Sequence, residues 1–224
     1  ELTRALAKFR DPHMLELDNG QAVTAGHFMV STGSRVAELP LPGLAKLGCI
    51  TSDDALRLES LPKSIIVLGG GAVALEFAQF FARLDVEVTL LQRRPHILKS
   101  FGDDVAGEVE GAFRDEGITV HTGCAITGAR QDGDDKVIAY ERDGGQHEAR
   151  AEAVFHGLGR SPNTGALALE NAGVETKRGR IVCDAHMRTS APHIFAGGDC
   201  TGPHEIVHLA IQQGEVAAHN ILHP

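Results

Sequence analysis

No stretch of this 224-residue chain approaches the ~18 consecutive apolar residues that span a bilayer, and its start lacks a signal-peptide pattern. A cytoplasmic protein with no membrane partner is expected. Positive charge is not in excess either: a net charge of −9 and a pI near 5.7 argue against nucleic acid or an anionic lipid surface as partner. The four cysteines, Cys49, Cys124, Cys183 and Cys200, stand far apart and form neither CxxC nor CxxxxC, so no local redox disulfide or clustered zinc site is encoded. Each reads as a small buried apolar residue. HExxH spacing is missing among the 12 histidines; His204 and His208 lie at i, i+4 without a third ligand nearby, and read as local structure rather than a metal site.

What is present is concentrated in residues 64–76, SIIVLGGGAVALE, a β-branched apolar run that breaks into glycines and resumes with helical periodicity. This is a strand, a tight turn and a helix start. Gly69 supplies a backbone conformation that a Cβ resists, Gly71 lets backbone N–H groups approach a pyrophosphate, and Ala74 lets the helix pack closely on its strand. With Gly70, Ala72 and Val73 these residues form a candidate dinucleotide cradle at a helix N-terminus. Phe77, Phe80, Phe81 and Leu84 continue the helical stripe, and Val86 to Leu91 form the second strand of a βαβ unit.

The tip of that second strand bears on cofactor choice. An NAD site places a carboxylate about 20 residues past the glycines to accept from ribose hydroxyls, whereas a 2′-phosphate requires cations. Here the tip reads Gln92-Arg93-Arg94, with Lys99 following. A charge-assisted hydrogen bond is worth about 1.5–3 kcal/mol, so one or two would favour NADPH about ten- to several-hundred-fold. The alternative is a solvated basic loop in an NADH-using protein.

At 42% hydrophobic, the chain can bury a core as one or two domains. Before the βαβ unit, short β-like runs at His13–Leu17, Gln21–Thr24 and His27–Thr32 surround an Asn19-Gly20 hairpin signal; Pro40, Pro42 and Gly43 mark a connector, and Ser52-Asp53-Asp54 is suited to cap a helix reaching about Ser60. Beyond it come a helix at Asp103–Glu116, a strand at Ile118–His121, and a meander near 126–129, 136–141 and 147–150 with Asp132-Gly133 and Asp143-Gly144 turns. A buried strand follows at Ala153–Leu158. The last residues give short strands at Ile181-Val182 and His193–Ala196, then Gly197-Gly198-Asp199 and a helix from about Glu205 to Leu222. An aspartate at a strand's carboxyl end beside a helix start suits a hydroxyl-rich ligand; a plain turn is the other reading.

In this order the motifs resemble the pyridine nucleotide-disulfide oxidoreductase family of flavoproteins, which includes glutathione reductase, dihydrolipoamide dehydrogenase and mercuric reductase. The segment Ser31-Thr32-Gly33-Ser34-Arg35 is similar to the family's ATGSxP exit from the FAD domain. It is followed by GGGAVALE, by Gly157-Leu158-Gly159-Arg160-Ser161-Pro162-Asn163, and by Thr189–Asp199 as the second FAD motif. The resemblance implies an α/β fold, with a Rossmann-like NAD(P)-binding domain (parallel sheet plus β-meander, residues 61–161) inserted into an incomplete FAD-binding domain of the same type (residues 1–60 and 162–224). It implies FAD and NADPH as cofactors and hydride transfer from NADPH to flavin and on to an acceptor. That acceptor would be a small molecule or a protein disulfide, and the intact enzyme a homodimer.

It also implies roles. Thr32, Gly33, Gly159, Arg160 and Gly198 would belong to the cofactor motifs, Asp199 would bind the FAD ribityl chain, and the helix opening near Glu205–His208 would point its positive end at the isoalloxazine C2 carbonyl. Glu76 would lie near the flavin, paired with a lysine; otherwise it is an exposed helix carboxylate. Arg93 and Lys99 match the 2′-phosphate positions, and Gln92 stands where NAD-specific members carry glutamate. The chain departs from the family in lacking a first GxGxxG unit, the CxxxxC pair and the dimerisation domain, and Ala72 replaces a flavin-gating tyrosine. It therefore looks like an internal fragment, with strand edges near Val30 and Ile194 left unpaired, and a catalytically silent NADP-binding module is the alternative function.

Overall fold

A computed structural model describes residues 1–38, 40–202 and 204–223. They build two compact units: one from Glu1–Arg35 with Arg160–Pro224, the other from the continuous stretch Val36–Gly159.

The first leg of the discontinuous unit carries β1 (Ala7–Asp11), β2 (Met14–Leu17), β3 (Ala22–Thr24) and β4 (Phe28–Val30). The first three form an antiparallel sheet in sequence order. The Asn19-Gly20 turn joins β2 to β3, with Gly20 at φ 84° and Asn19 Oδ1 accepting from Gln21 N at 3.0 Å. The chain leaves this unit along β5 (Ser34–Val36).

In the continuous unit, α1 (Ser52–Ala55) precedes β6 (Ser64–Leu68), α2 (Ala72–Ala82), β7 (Glu87–Leu91), α3 (Asp103–Asp115) and β8 (Thr119–His121). An antiparallel meander follows, of β9 (Ala125–Asp132), β10 (Asp135–Arg142) and β11 (Gly145–Ala151), and β12 (Ala153–His156) returns to a four-stranded parallel sheet of order β12-β6-β7-β8. Period-2 alternation explains why β6 is apolar throughout. Ile65 and Val67 enter a core with Ala74, Ala78, Phe81 and Phe155, while Ile66 and Leu68 enter another with Ile138, Tyr140 and Val154. The α2 stripe packs Phe77 against Phe155 with ring centroids 4.7 Å apart.

Two expectations need correction here. The connector before residue 60 belongs to this unit rather than to the first one, because Ile50 N donates to Val154 O and His156 N to Ile50 O, both at 2.8 Å. Leu44 and Leu47 are buried in the Ile66 core, and the unit ends at Gly159 rather than at residue 161. The short helix is capped by Thr51 instead of Ser52: Thr51 N donates to Asp54 Oδ2 at 2.9 Å and Thr51 Oγ1 accepts from Asp54 N at 3.4 Å, a capping box, and the helix stops at Ala55.

The second leg of the discontinuous unit holds β13 (Arg160–Pro162), a hairpin of β14 (Thr176–Lys177) and β15 (Arg180–Ile181), β16 (Ile194–Ala196) and α4 (Val207–Leu222). β16 lies parallel to β4, pairing Ile194 with Phe28 and Ala196 with Val30, over a core that includes Phe9, Leu169, Val174 and Ile181. The far edge of β16 is not left bare: Thr189 N donates to Ile194 O and Ala196 N to Met187 O. Val30 and Ile194 are buried, so the expected exposed edge is covered on the Ile194 side. The fold is α/β with a Rossmann-like sheet and meander.

Candidate functional site

The glycine turn is built by close approach. Gly69, at φ 114°, sits where a Cβ would lie 2.3 Å from Gly157 O, and a Cβ on Gly157 would lie 2.6 Å from Ala74 Cβ. Gly69, Gly157 and Ala74 are therefore required by packing of β6, α2 and the end of β12. Gly71 differs. It is the N-cap of α2 at φ −86° and ψ 171°, with no side-chain cap, and its Cβ would meet nothing within 4 Å. Ala72 and Val73 are exposed beside it. This arrangement presents an uncapped helix N-terminus, carrying the positive end of the dipole, to an open space.

The loop after β7 closes on that turn. Leu98 N donates to Gly70 O at 2.7 Å, Gly123 N to Arg94 O at 2.9 Å, and the Ile97 side chain is buried. Arg93, Arg94 and Lys99 are exposed, and among the described residues none of them forms an ion pair. Gln92, expected at the open tip, is instead 9% exposed; its Nε2 donates to His96 O at 3.1 Å. A cluster that the sequence did not signal stands next to this loop. Arg142 Nη1 donates to His121 Nδ1 at 2.8 Å, and burial first, then the Arg142 and His147 charges, holds the His121 ring below the usual imidazole range and hence neutral as an acceptor. Glu76 is exposed on α2 and Gly159 is exposed at φ 112°.

The second constellation lies in the discontinuous unit. Asp199 Oδ2 accepts from Ser34 Oγ at 2.7 Å, Ser34 Oγ accepts from Arg160 Nε at 2.6 Å, and Arg160 Nη2 donates to Ser34 O at 2.8 Å. Residues 165 positions apart thus share one hydrogen-bonded chain. Gly33 O accepts from Asn163 N, and Thr32 is exposed at the end of the same segment. Gly198, at φ 79°, donates its N–H to Gln213 Oε1 of α4 at 2.7 Å. Ser34 lies inside the Ser31–Arg35 motif, whereas Gln213 carries no sequence signal. A cavity of about 810 Å³ adjoins this chain, lined by Arg160, Lys177, Arg178, Arg180, Thr201 and Gln213. His208 is exposed in the first turn of α4, which begins at Val207 rather than Glu205; His204 lies outside the helix, so the two do not share a helix face.

All four cysteines are free thiols; Cys124 and Cys200 are buried, Cys49 and Cys183 partly so. Among the described residues there is no cluster of metal-ligating side chains and no helix long and apolar enough to cross a membrane.

An open helix start beside exposed cations without an ion-pair partner among the described residues is chemistry that suits phosphate groups, and the buttressed Asp199 carboxylate is chemistry that suits a polyhydroxyl chain. The family described as pyridine nucleotide-disulphide oxidoreductase matches residues 1–214. A mercuric reductase from Streptomyces lividans is 37% identical across 99% of this chain and 48% of its own length. A dihydrolipoyl dehydrogenase from Thermus scotoductus is 38% identical across 98% and 48%. Among solved structures, the HOCl-induced flavoprotein disulfide reductase RclA from Escherichia coli superposes with a TM-score of 0.90 at 25% identity, covering 99% of this chain and 51% of that one. The chain spans about half the length of the curated relatives it matches.

Proposed function

Since this chain belongs to the pyridine nucleotide-disulphide oxidoreductase family, we propose that it is the nucleotide-handling part of an FAD-dependent oxidoreductase that draws reducing equivalents from NADPH. When bound, NADPH and FAD supply the hydride chemistry; the protein binds and orients them. The N–H groups at Gly71, Ala72 and Val73 would hold the NADP diphosphate, with Gly69, Gly70 and Ala74 shaping the turn beneath it. Arg93, Arg94 and Lys99 would hold the 2′-phosphate. Asp199, fixed by Ser34 and Arg160, would accept from ribityl hydroxyls, with Thr32, Gly33, Gly159 and Gly198 in the flanking motifs, and the α4 start at His208 would face the flavin ring. Glu76 near the flavin and a homodimeric intact protein belong to the same proposal. The relatives' names point to a disulfide or mercuric ion as the electron acceptor.

The observation that carries the reading is the pairing of an open, uncapped helix start with three exposed cations that have no carboxylate partner among the described residues. The test is calorimetric titration of the purified chain, incubated with FAD, against NADPH and NADH at low and high salt. NADPH is expected to bind about ten- to several-hundred-fold more tightly. That margin should shrink as salt screens the cations. Equal, salt-independent affinities would refute the cation assignment. Visible flavin bands that bleach on adding NADPH would make the chain a working reductase half; a colourless protein that still binds NADPH would make it a silent NADP-binding module.

A further inference from the structure

We infer that Gln92 governs cofactor choice as a positioning residue, by latching the 93–99 loop onto the glycine turn, and not by contacting ribose. The inference rests on the dinucleotide reading of this site. Its basis is that every Gln92 group with a resolved partner is turned inward. Its backbone N donates to His121 O at 2.8 Å, its carbonyl accepts from Cys124 N at 2.9 Å, and its side-chain Nε2 donates to His96 O at 3.1 Å. The amide lies against Gly70, where a Cβ would come within 2.9 Å of both Cδ and Nε2. A side chain at position 70 would therefore displace the Gln92 amide from this slot. Gly70 O in turn accepts from Leu98 N, a residue held at φ 50°, so glycine turn, Gln92 and the far end of the cationic loop form one closed circuit.

An ionised glutamate at position 92 has no donor for His96 O: its carboxylate would face that carbonyl oxygen in a partly buried slot. The acidic ribose ligand of an NAD site is thus not obtained here by the single change Gln92→Glu. The titratable and charged groups around the slot are His96, whose Nε2 is 3.9 Å from Asp103 Oδ1, Arg93 and Arg94 on the loop, and His121, Arg142 and Cys124 across from it. Both proteins share them, so the ratio of variant to wild type isolates residue 92.

The experiment is titration of the wild-type chain, Gln92→Glu and Gln92→Met with NADP⁺ and NAD⁺ at about pH 8 and about pH 5, on either side of a buried carboxyl's range. At the higher pH, Gln92→Glu is expected to lose about tenfold or more in NADP⁺ affinity with no gain for NAD⁺. At the lower pH the protonated carboxyl again donates to His96 O, and the ratio to wild type narrows. Gln92→Met, which keeps the volume and lacks the donor, is expected to weaken NADP⁺ about two- to tenfold and to leave NAD⁺ unchanged. A Gln92→Glu chain that binds NAD⁺ more tightly at the higher pH and loses the gain at the lower one would show a side chain facing ribose and overturn the inference. So would NADP⁺ affinity unchanged in both variants. A wild-type chain that binds neither nucleotide would overturn the dinucleotide reading itself.

Discussion

Replacing Gly69 and Gly71 separately by alanine should divide the work of the glycine turn into folding and binding. At Gly69 the backbone sits at φ 114°, a region costing a residue with a Cβ about 1–3 kcal/mol. The new methyl would also stand 2.3 Å from Gly157 O, a backbone atom that cannot rotate away, which adds about 1–3 kcal/mol of overpacking. The sum, about 2–6 kcal/mol, is a large share of the 5–15 kcal/mol typical of a domain. Urea unfolding followed by circular dichroism should show a clearly lower midpoint for the transition that includes residues 36–159, or a chain that does not fold. At Gly71 the backbone is already extended and its Cβ meets nothing within 4 Å, so stability should fall by no more than about 1 kcal/mol. The methyl would nevertheless occupy the space before the helix start, and NADPH affinity should fall about tenfold or more, since the diphosphate loses its charge-assisted contacts. A Gly71→Ala chain that binds NADPH like wild type would sink the phosphate assignment. An unshifted midpoint for Gly69→Ala would sink the description of the turn.

Three further outcomes can be checked on the same protein. The double change Arg93→Ala and Arg94→Ala should cost NADPH about tenfold or more in affinity while leaving NADH nearly unchanged, read by calorimetry; parallel losses for both nucleotides would contradict it. Asp199→Asn should keep the hydrogen bond to Ser34 but weaken acceptance from hydroxyls, so that less flavin is retained after gel filtration; undiminished retention would remove Asp199 from the site. Burial first, then the neighbouring Cys200, pushes the Cys183 thiol from 9.0 up to about 11. Its thiolate is therefore scarce at neutral pH: alkylation should be slow in the native chain, fast in urea, and should accelerate as pH rises toward about 11. The same shift makes the stability that it contributes complete below pH 9.0 and lost as pH rises through about 11, and a native rate equal to the urea rate at neutral pH would contradict both statements.

Much of the continuous unit was legible because its signals are local. Ile65 to Leu68 are apolar on both faces, the next residue is glycine, and an i, i+4 stripe follows, so strand, turn and helix are specified within one short stretch. The meander turns were legible for the same reason, each having a glycine at positive φ next to a polar residue. What escaped was non-local. β1 has one fully buried side chain, Phe9, among polar residues, and its identity as a strand comes from pairing with β2. The connector reads as a polar linker, yet Ile50 is drawn into the parallel sheet by hydrogen bonds to residues a hundred positions later. Gln92 is polar and sits next to two arginines, which reads as surface; in the folded chain it lies against Gly70 and bonds to His96 O, contacts that no local pattern announces. In the second constellation, Asp199 was legible from its motif, whereas its fixation by Ser34 and Arg160 is a property of the folded chain alone.

The two ends of the continuous unit are tied together, Ala37 N donating to Gly159 O at 3.0 Å. This has a bearing on the order of assembly during synthesis. The strand Phe28–Val30 finds its partner Ile194–Ala196 only after the whole intervening stretch has been made. Closing a flexible loop of more than a hundred residues carries an entropic cost of about 4 kcal/mol. An inserted domain that folds first as the chain emerges replaces that flexible loop with a short clasp, delivering Arg160 within reach of a waiting Ser34. The insertion then acts as an internal template, and the slow, long-range pairing of the outer unit becomes in effect a local one.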